Sequence, residues 1–134
     1  MKTMAKDILI VEDDEPIRTF LRELYHSEGF SVEEAENSDA AIVYLNSLEA
    51  NEHPKMILTD IHQPNSNRNG IHLCELIAAQ FPHIPCAVMS AEKKALDEVK
   101  SRAKELGVEY MLHKPFDASE ALEVANRYIP NKHV

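Results

Sequence analysis

Short, fully apolar runs alternate with segments of helical periodicity along the whole chain. A strand that is buried on both faces of a parallel sheet needs such a run, whereas a surface helix carries apolar residues three and four positions apart. Alternation of the two is typical of βα units. The pattern therefore predicts an α/β fold with one parallel sheet. The runs predicted as strands cover residues 8–11, 31–35, 56–58, 86–89 and 108–112.

Apolar stripes at helical spacing follow every predicted strand and predict five helices. The stripes are formed by Ile17, Phe20, Leu21 and Leu24; Ala41, Leu45 and Leu48; Leu73, Leu76 and Ile77; Leu96, Val99, Ala103 and Leu106; and Leu122, Ala125 and Ile129. Asp14 and Ser38 are expected to cap the first two helices, and Gly107 and Pro130 to end the last two. The second strand holds two glutamates, which is typical of an edge strand.

Size and composition favour one domain and exclude several classes of protein. A chain of 134 residues with 44% hydrophobic residues can build one core. We expect a single domain over residues 1–134, with its core at about residues 6–129 and no output domain after it. The formal charge, 14 − 23 = −9, argues against direct nucleic-acid binding. No apolar run approaches the ~20 residues of a membrane span, so membrane insertion is not predicted.

The cysteines and histidines give no metal or disulfide signature. Cys74 and Cys86 lie in apolar stretches without CxxC spacing, which predicts reduced core thiols and a cytoplasmic location. The seven histidines show neither HxH nor HxxxH spacing, so no transition-metal site is predicted.

Charged and hydroxyl side chains stand where the predicted strands end. Ligands of a doubly wound sheet bind beyond these carboxyl ends, so the side chains are expected to converge. They are Glu12, Asp13 and Asp14 after the first strand, Asp60 after the third, Ser90 after the fourth and Lys114 after the fifth. Each has an ordinary explanation by itself. Helix capping would explain the acidic run 12–14, while Ser90 would be a core hydroxyl and Lys114 a solvated end residue. Their shared position favours a site.

Clustered carboxylates repel one another unless one is protonated or a cation binds. Mg²⁺, or Mn²⁺ in its place, prefers the hard oxygen ligands that such a cluster offers. No ATP-binding loop is present, so a phosphoryl group would come from outside the chain. Asp60 beside a cation and Lys114 is suited to attack an activated phosphorus, and Ser90 could then bind the new phosphoryl oxygens.

Four motifs, DILIVEDD, MILTD, AVMSA and YMLHKPF, stand in this order at four strand ends. With them the sequence strongly resembles the receiver domain of bacterial two-component response regulators. The resemblance implies a flavodoxin-like (βα)5 fold with helices on both faces and the strand order 2-1-3-4-5. It also implies a cis peptide bond between Lys114 and Pro115.

The same resemblance implies a role for each site residue. Asp60 would be the phosphoacceptor and Lys114 the phosphate-binding lysine, with Ser90 as the switch hydroxyl. The metal would be held by Asp13 directly, by Asp60, with Glu12 as the acidic neighbour, and by the backbone carbonyl of His62.

The implied function is a signalling switch. A sensor histidine kinase, a phosphotransfer protein or a small acyl phosphate would phosphorylate Asp60 with Mg²⁺. Changes near the fourth helix and fifth strand would then control binding of an unidentified downstream protein. Apart from this self-phosphorylation and slow autodephosphorylation, no enzyme activity is expected. Two alternatives are an aspartate-nucleophile phosphatase and an unphosphorylated scaffold. The missing second acid at DxD spacing after Asp60 argues against the former, and the complete set of site residues against the latter.

Three features depart from the family pattern. Between Pro64 and Gly70 stand five polar residues, 65–69, where the family has about two; this is either a change in access to Asp60 or a neutral insertion. The family's aromatic switch position holds Met111, and Tyr110, one residue earlier, is expected on the opposite face of the strand. His62 and Glu92 flank the entrance and are candidates for tuning access and phosphoryl lifetime.

Overall fold

The computed structural model describes residues 5–63 and 69–130, and this part of the chain forms one five-stranded parallel sheet with helices on both faces. The strand order is 2-1-3-4-5, as predicted. The strands are β1 (Ile8–Val11), β2 (Val32–Ala35), β3 (Met56–Asp60), β4 (Cys86–Ser90) and β5 (Val108–His113). The helices are α1 (Glu15–Ser27), α2 (Ser38–Asn46), α3 (Gly70–Gln80), α4 (Lys93–Ser101), α5 (Ala103–Leu106) and α6 (Ala118–Tyr128), and a 3₁₀ turn covers Ala50–Glu52. Of the five polar residues 65–69 that were predicted to form a longer loop, residues 65–68 lie outside the described residues, as does Pro64 before them.

Strand alternation divides the core into two layers. Every residue of β1 is fully buried, with Leu9 and Val11 facing α2 and α3, and Ile8 and Ile10 facing α1 and α6. The predicted edge strand is β2. Its Glu34 accepts hydrogen bonds from two arginines of α1, which accounts for a carboxylate at a half-buried position.

Three of the four expected helix boundaries are confirmed and one is wrong. Asp14 Oδ1 accepts from the Ile17 amide at 3.2 Å and Gly107 ends α5 with a left-handed φ of 69°, while α6 ends before Pro130. Ser38, however, is the first residue of α2, and Asn37 caps it by accepting from the Ala40 amide at 2.8 Å. The Ser38 hydroxyl is instead directed inward.

The fourth predicted helix is interrupted. Its stripe, Leu96 to Leu106, spans both α4 and α5, which are separated at Arg102, where ψ is 14°. The Arg102 guanidinium reaches Glu75 of α3 and Glu105 of α5, at 2.7 and 2.6 Å, so an ion pair holds the junction. Among the described helices none is long and apolar enough to span a membrane.

Candidate functional site at the carboxyl end of the sheet

The structure brings the predicted acid and lysine side chains together beyond β1, β3 and β5. Lys114 Nζ lies 3.0 Å from Glu12 Oε1 and 3.2 Å from Asp60 Oδ2. All three side chains are at least largely buried, Glu12 almost completely at 1% exposure. The Lys114–Pro115 peptide bond that follows β5 is cis.

Charge in this cluster is only partly balanced. Burial and the neighbouring Asp60 raise the pKa of Glu12 to about 8, although Lys114 acts in the opposite direction. Burial alone would lower the pKa of Lys114, but the two carboxylates outweigh it and the net shift is upward. Lys114 alone therefore does not stabilise both carboxylates in their ionised forms, and a further cation bound here would favour the ionised form of Glu12.

A possible metal position is formed by Glu12, Asp13 and Asp60, whose ligand oxygens lie within 4.8 Å of one another. Carboxylate oxygens are the donors that Mg²⁺ prefers, so these residues fit that ion. The backbone at Glu12 is held by α1, because Arg18 Nη1 donates to the Glu12 backbone oxygen at 2.8 Å. His62 lies beside the trio and its amide donates to Asp60 Oδ1 at 3.3 Å. Its role as a carbonyl ligand stays a prediction.

Ser90 ends β4, is 1% exposed, and belongs to the same rim. Its Oγ accepts from the Glu92 amide at 3.0 Å, and its backbone oxygen accepts from the Lys114 amide at 2.9 Å. The hydroxyl thus contacts the loop that leads into α4. Glu92 itself is exposed at the N-cap of α4, and its role in access and phosphoryl lifetime stays a prediction.

Tyr110 and Met111 pack on opposite faces of β5. Met111 lies against the layer that contains Val88 and Val99, whereas the Tyr110 ring contacts Tyr128 of α6 edge to face at 5.3 Å. An extra residue in β5 opposite residues 86–88 of β4 shifts the register. The methionine therefore occupies the face toward α4, and the tyrosine does not.

A buried polar network that the sequence did not predict lies next to Asp60. Gln63 Nε2 donates to the Asp60 backbone oxygen at 2.8 Å and to Thr59 Oγ1 at 3.2 Å. Its Oε1 accepts from the Ser38 amide at 2.6 Å and from the Ser38 hydroxyl at 2.7 Å. Gln63 thereby connects the end of β3 to the start of α2. The only sequence signals were a glutamine of unassigned role and a serine that was expected to cap α2.

Gly70 lies directly against the backbone of Asp60 and Ile61. A Cβ atom at this position would collide with the Asp60 backbone oxygen and would come within 2.8 Å of the Ile61 Cα. The Gly70 amide donates to the Ile61 oxygen at 2.8 Å. The first residue of α3 thus fixes the path of the chain after Asp60.

Comparison with known proteins agrees with this geometry. The profile of the response regulator receiver domain family matches residues 8–126. This chain belongs to that family. Receiver domains are signalling modules rather than classical enzymes, they act through phosphorylation and they generally bind Mg²⁺ at an acidic pocket.

Individual relatives of this receiver domain differ in length. It is 30% identical to sporulation initiation phosphotransferase F of Bacillus subtilis over 129 residues, covering 96% of this chain and 98% of the relative. It is 28% identical to the nitrogen assimilation regulatory protein NtrX of Azorhizobium caulinodans over 124 residues, or 92% of this chain and 26% of that relative. The chain thus spans only about a quarter of the NtrX relative.

A solved structure supports the fold assignment. The receiver domain of NtrX from Brucella abortus superposes with a TM-score of 0.80 at 27% identity, covering 93% of this chain and 99% of the other. The predicted family and fold are confirmed.

Proposed function

We propose that Asp60 is the phosphoacceptor of this receiver domain and that a phosphohistidine of a sensor histidine kinase or phosphotransfer protein, or a small acyl phosphate, is the donor. The observation that carries the proposal is the placement of the Asp60 carboxylate within 3.2 Å of Lys114 and beside the other two members of the acidic trio. A carboxylate so placed can attack phosphorus while neighbouring positive charge stabilises the transferring oxygens.

In the proposed transfer, one Asp60 carboxylate oxygen forms a bond to phosphorus as the donor's phosphorus–nitrogen or phosphorus–oxygen bond breaks. The donor leaves with that electron pair as an imidazole or a carboxylate. Lys114 donates to a phosphoryl oxygen, for which it exchanges one of its present contacts with Glu12 and Asp60. The product is an acyl phosphate, which water hydrolyses slowly to return the carboxylate.

A magnesium ion, with manganese as a substitute, would be held by Asp13, Asp60, Glu12 and the His62 carbonyl. When bound, it supplies positive charge next to the transferring oxygens. The hard-oxygen donor set supports this part of the proposal, as does the raised pKa of Glu12, because a bound cation would stabilise the ionised carboxylate that burial and Asp60 disfavour.

Signal output is proposed to run through Ser90. Its Oγ acts as an acceptor toward the Glu92 amide, so the hydroxyl proton can be donated to a phosphoryl oxygen on Asp60. Movement of Ser90 toward the phosphoryl group would draw the loop before α4 with it and change the surface of α4 and β5. On the face of β5 toward α4, Met111 would then fill the space that the movement of the loop changes. A downstream protein would bind this surface, and the two free cysteines suit a cytoplasmic setting.

The proposal is tested by incubating the protein with Mg²⁺ and acetyl phosphate and measuring intact mass. The expected result is one added phosphoryl group in the wild type and none in Asp60→Ala. Retention of the added mass in Asp60→Ala would overturn the assignment. A small phosphate ester offered in excess separates the switch from a phosphatase, because rapid multiple turnovers would favour the hydrolytic alternative.

A further inference from the structure

Two histidines that are thirty residues apart meet at the amino end of the sheet, the end opposite the acidic trio. His53 follows the 3₁₀ turn before β3, and His83 stands between α3 and β4. His53 Nδ1 lies 2.8 Å from His83 Nε2, and the two rings are stacked at 17° with centroids 5.0 Å apart. Two imidazole nitrogens therefore share one small volume.

The backbone around the pair is well constrained. Each histidine leads into one of two adjacent strands, and the Ile57 amide of β3 donates to the Pro85 oxygen at 2.9 Å, which ties the two segments together. Prolines at 54, 82 and 85 restrict φ on both sides. The His53 ring also packs edge to face on buried Phe81, with centroids 5.1 Å apart. Little conformational entropy remains to be lost on chelation.

The surroundings of His53 favour the neutral form of its imidazole. Burial lowers the pKa of His53, the neighbouring His83 lowers it further, and Glu52 only partly offsets them. A neutral imidazole is the form that binds a metal. In the metal-free protein one ring donates its N–H to the other, and an ion would displace this shared hydrogen bond. His83 is exposed, so an ion can reach it from solvent.

The separation of the two nitrogens can be compared with metal geometry. With metal–nitrogen bonds of about 2.0 Å, neighbouring ligands lie about 2.8 Å apart at a right angle and about 3.3 Å apart in a tetrahedron. The observed 2.8 Å agrees with the right-angle separation. For a tetrahedral ion the two nitrogens would have to move apart by about half an ångström. Rotation of the exposed His83 ring can turn both lone pairs onto one ion.

From this geometry we infer that His53 Nδ1 and His83 Nε2 form a second metal site, selective for an imidazole-binding divalent transition ion such as Ni²⁺, Cu²⁺ or Zn²⁺. Water completes the coordination. Mg²⁺ prefers the oxygen ligands at the other end of the sheet, so ligand chemistry separates the two sites. A bound ion links the segment before β3 to the segment before β4 and stabilises the fold. This inference does not rest on the proposed function.

The test titrates Ni²⁺ into the full chain by calorimetry, with Mg²⁺ in excess to occupy the acidic trio. Nickel is the probe because Cu²⁺ would also oxidise thiols. One equivalent is expected to bind the wild type, and His53→Gln and His83→Gln should each weaken binding at least ~10-fold. His26→Gln, which removes an exposed imidazole from α1, is the matched control and should bind as the wild type does. Unchanged affinity in both pair variants, or an equal loss in the control, would overturn the inference.

Two further readings make the outcome independent of folding defects in the variants. Ni²⁺ should raise the melting temperature of the wild type and of His26→Gln but not of either pair variant. In the unaltered wild type, Ni²⁺ should protect His53 and His83, and not His26, from diethyl pyrocarbonate as mapped by peptide mass. Modification of the pair at an unchanged rate would refute the site. Labelling of Asp60 by acetyl phosphate is expected to be unchanged in His53→Gln, so failure of this inference and failure of the phosphoacceptor proposal are distinguishable.

Discussion

Gln63 is predicted to be the residue through which the end of β3 is most strongly anchored. Gln63→Met keeps a side chain of similar length but removes both hydrogen-bonding ends. The Ser38 amide then loses its 2.6 Å acceptor inside the protein. The Ser38 hydroxyl keeps only a long contact of 3.3 Å to the Asn69 oxygen, and the Asp60 oxygen keeps its 3.0 Å bond from the Thr59 hydroxyl.

The expected loss of stability follows from these lost and retained hydrogen bonds. One orphaned buried amide costs ~1–3 kcal/mol, and the two groups that keep a second partner, the Ser38 hydroxyl and the Asp60 oxygen, each add ~0.5 kcal/mol, the low end for a net hydrogen bond. Because the other groups retain partners, the expected loss in the free energy of unfolding is ~2–4 kcal/mol. A domain of this kind has ~5–15 kcal/mol in total, so the variant should still fold.

Urea denaturation measures this loss directly. The midpoint of Gln63→Met should fall by ~1–2 M urea with an unchanged slope. The other glutamine of the chain, Gln80, is exposed at the end of α3, so Gln80→Met is a matched control and should stay within ~0.5 kcal/mol of the wild type. A double-mutant cycle with Ser38→Ala should show coupling of ~1–2 kcal/mol. If Gln63→Met and Gln80→Met have the same stability, the network does not anchor β3.

Three other predictions concern the site itself. Gly70→Ala should lower the midpoint of urea denaturation and slow labelling by acetyl phosphate, because the new Cβ collides with the Asp60 oxygen; wild-type behaviour in both assays would contradict the tight contact. Lys114→Ala should cost ~3 kcal/mol of unfolding free energy without metal, since it removes the cationic partner of the buried Asp60 carboxylate, and thermal melts should show a larger gain from Mg²⁺ than in the wild type; an equal gain would count against the charge argument. Without Mg²⁺, the folded state holds a proton on Glu12 between its ordinary pKa of 4.5 and about 8, whereas the unfolded state releases it. Stability should therefore fall as pH rises through this window, by up to ~1.4 kcal/mol per unit, and Glu12→Gln should flatten the profile; an equally steep profile in that variant would assign the dependence to another group.

Strand identity was predictable because strands buried on both faces of a parallel sheet must be uniformly apolar, as β1 is. The edge position of β2 followed from its glutamates, one of which the α1 arginines bind. The rim residues were predictable because parallel strands all end at one edge, so position along the chain determined their meeting place. Asp60 and Lys114, 54 positions apart by the sequence numbering, required no more than that rule.

Contacts that depend on three-dimensional packing were not predictable. Asn37 and Ser38 are adjacent and both suit an N-cap, and only the inward path of the Ser38 hydroxyl toward Gln63 decides between them. The register shift in β5 depends on its pairing with β4, which no local pattern reports. The His53–His83 pair has no ligand spacing in the chain because its members come from two separate segments.

The central claim is that Asp60 carries the phosphoryl group. Borohydride reduction of the protein after treatment with Mg²⁺ and acetyl phosphate converts an aspartyl phosphate to homoserine, and peptide mass spectrometry then locates the modified residue. Homoserine at position 60, formed only when Mg²⁺ is present, is the predicted result. Homoserine at Asp13 or another carboxylate, with Asp60 unmodified, would contradict the account.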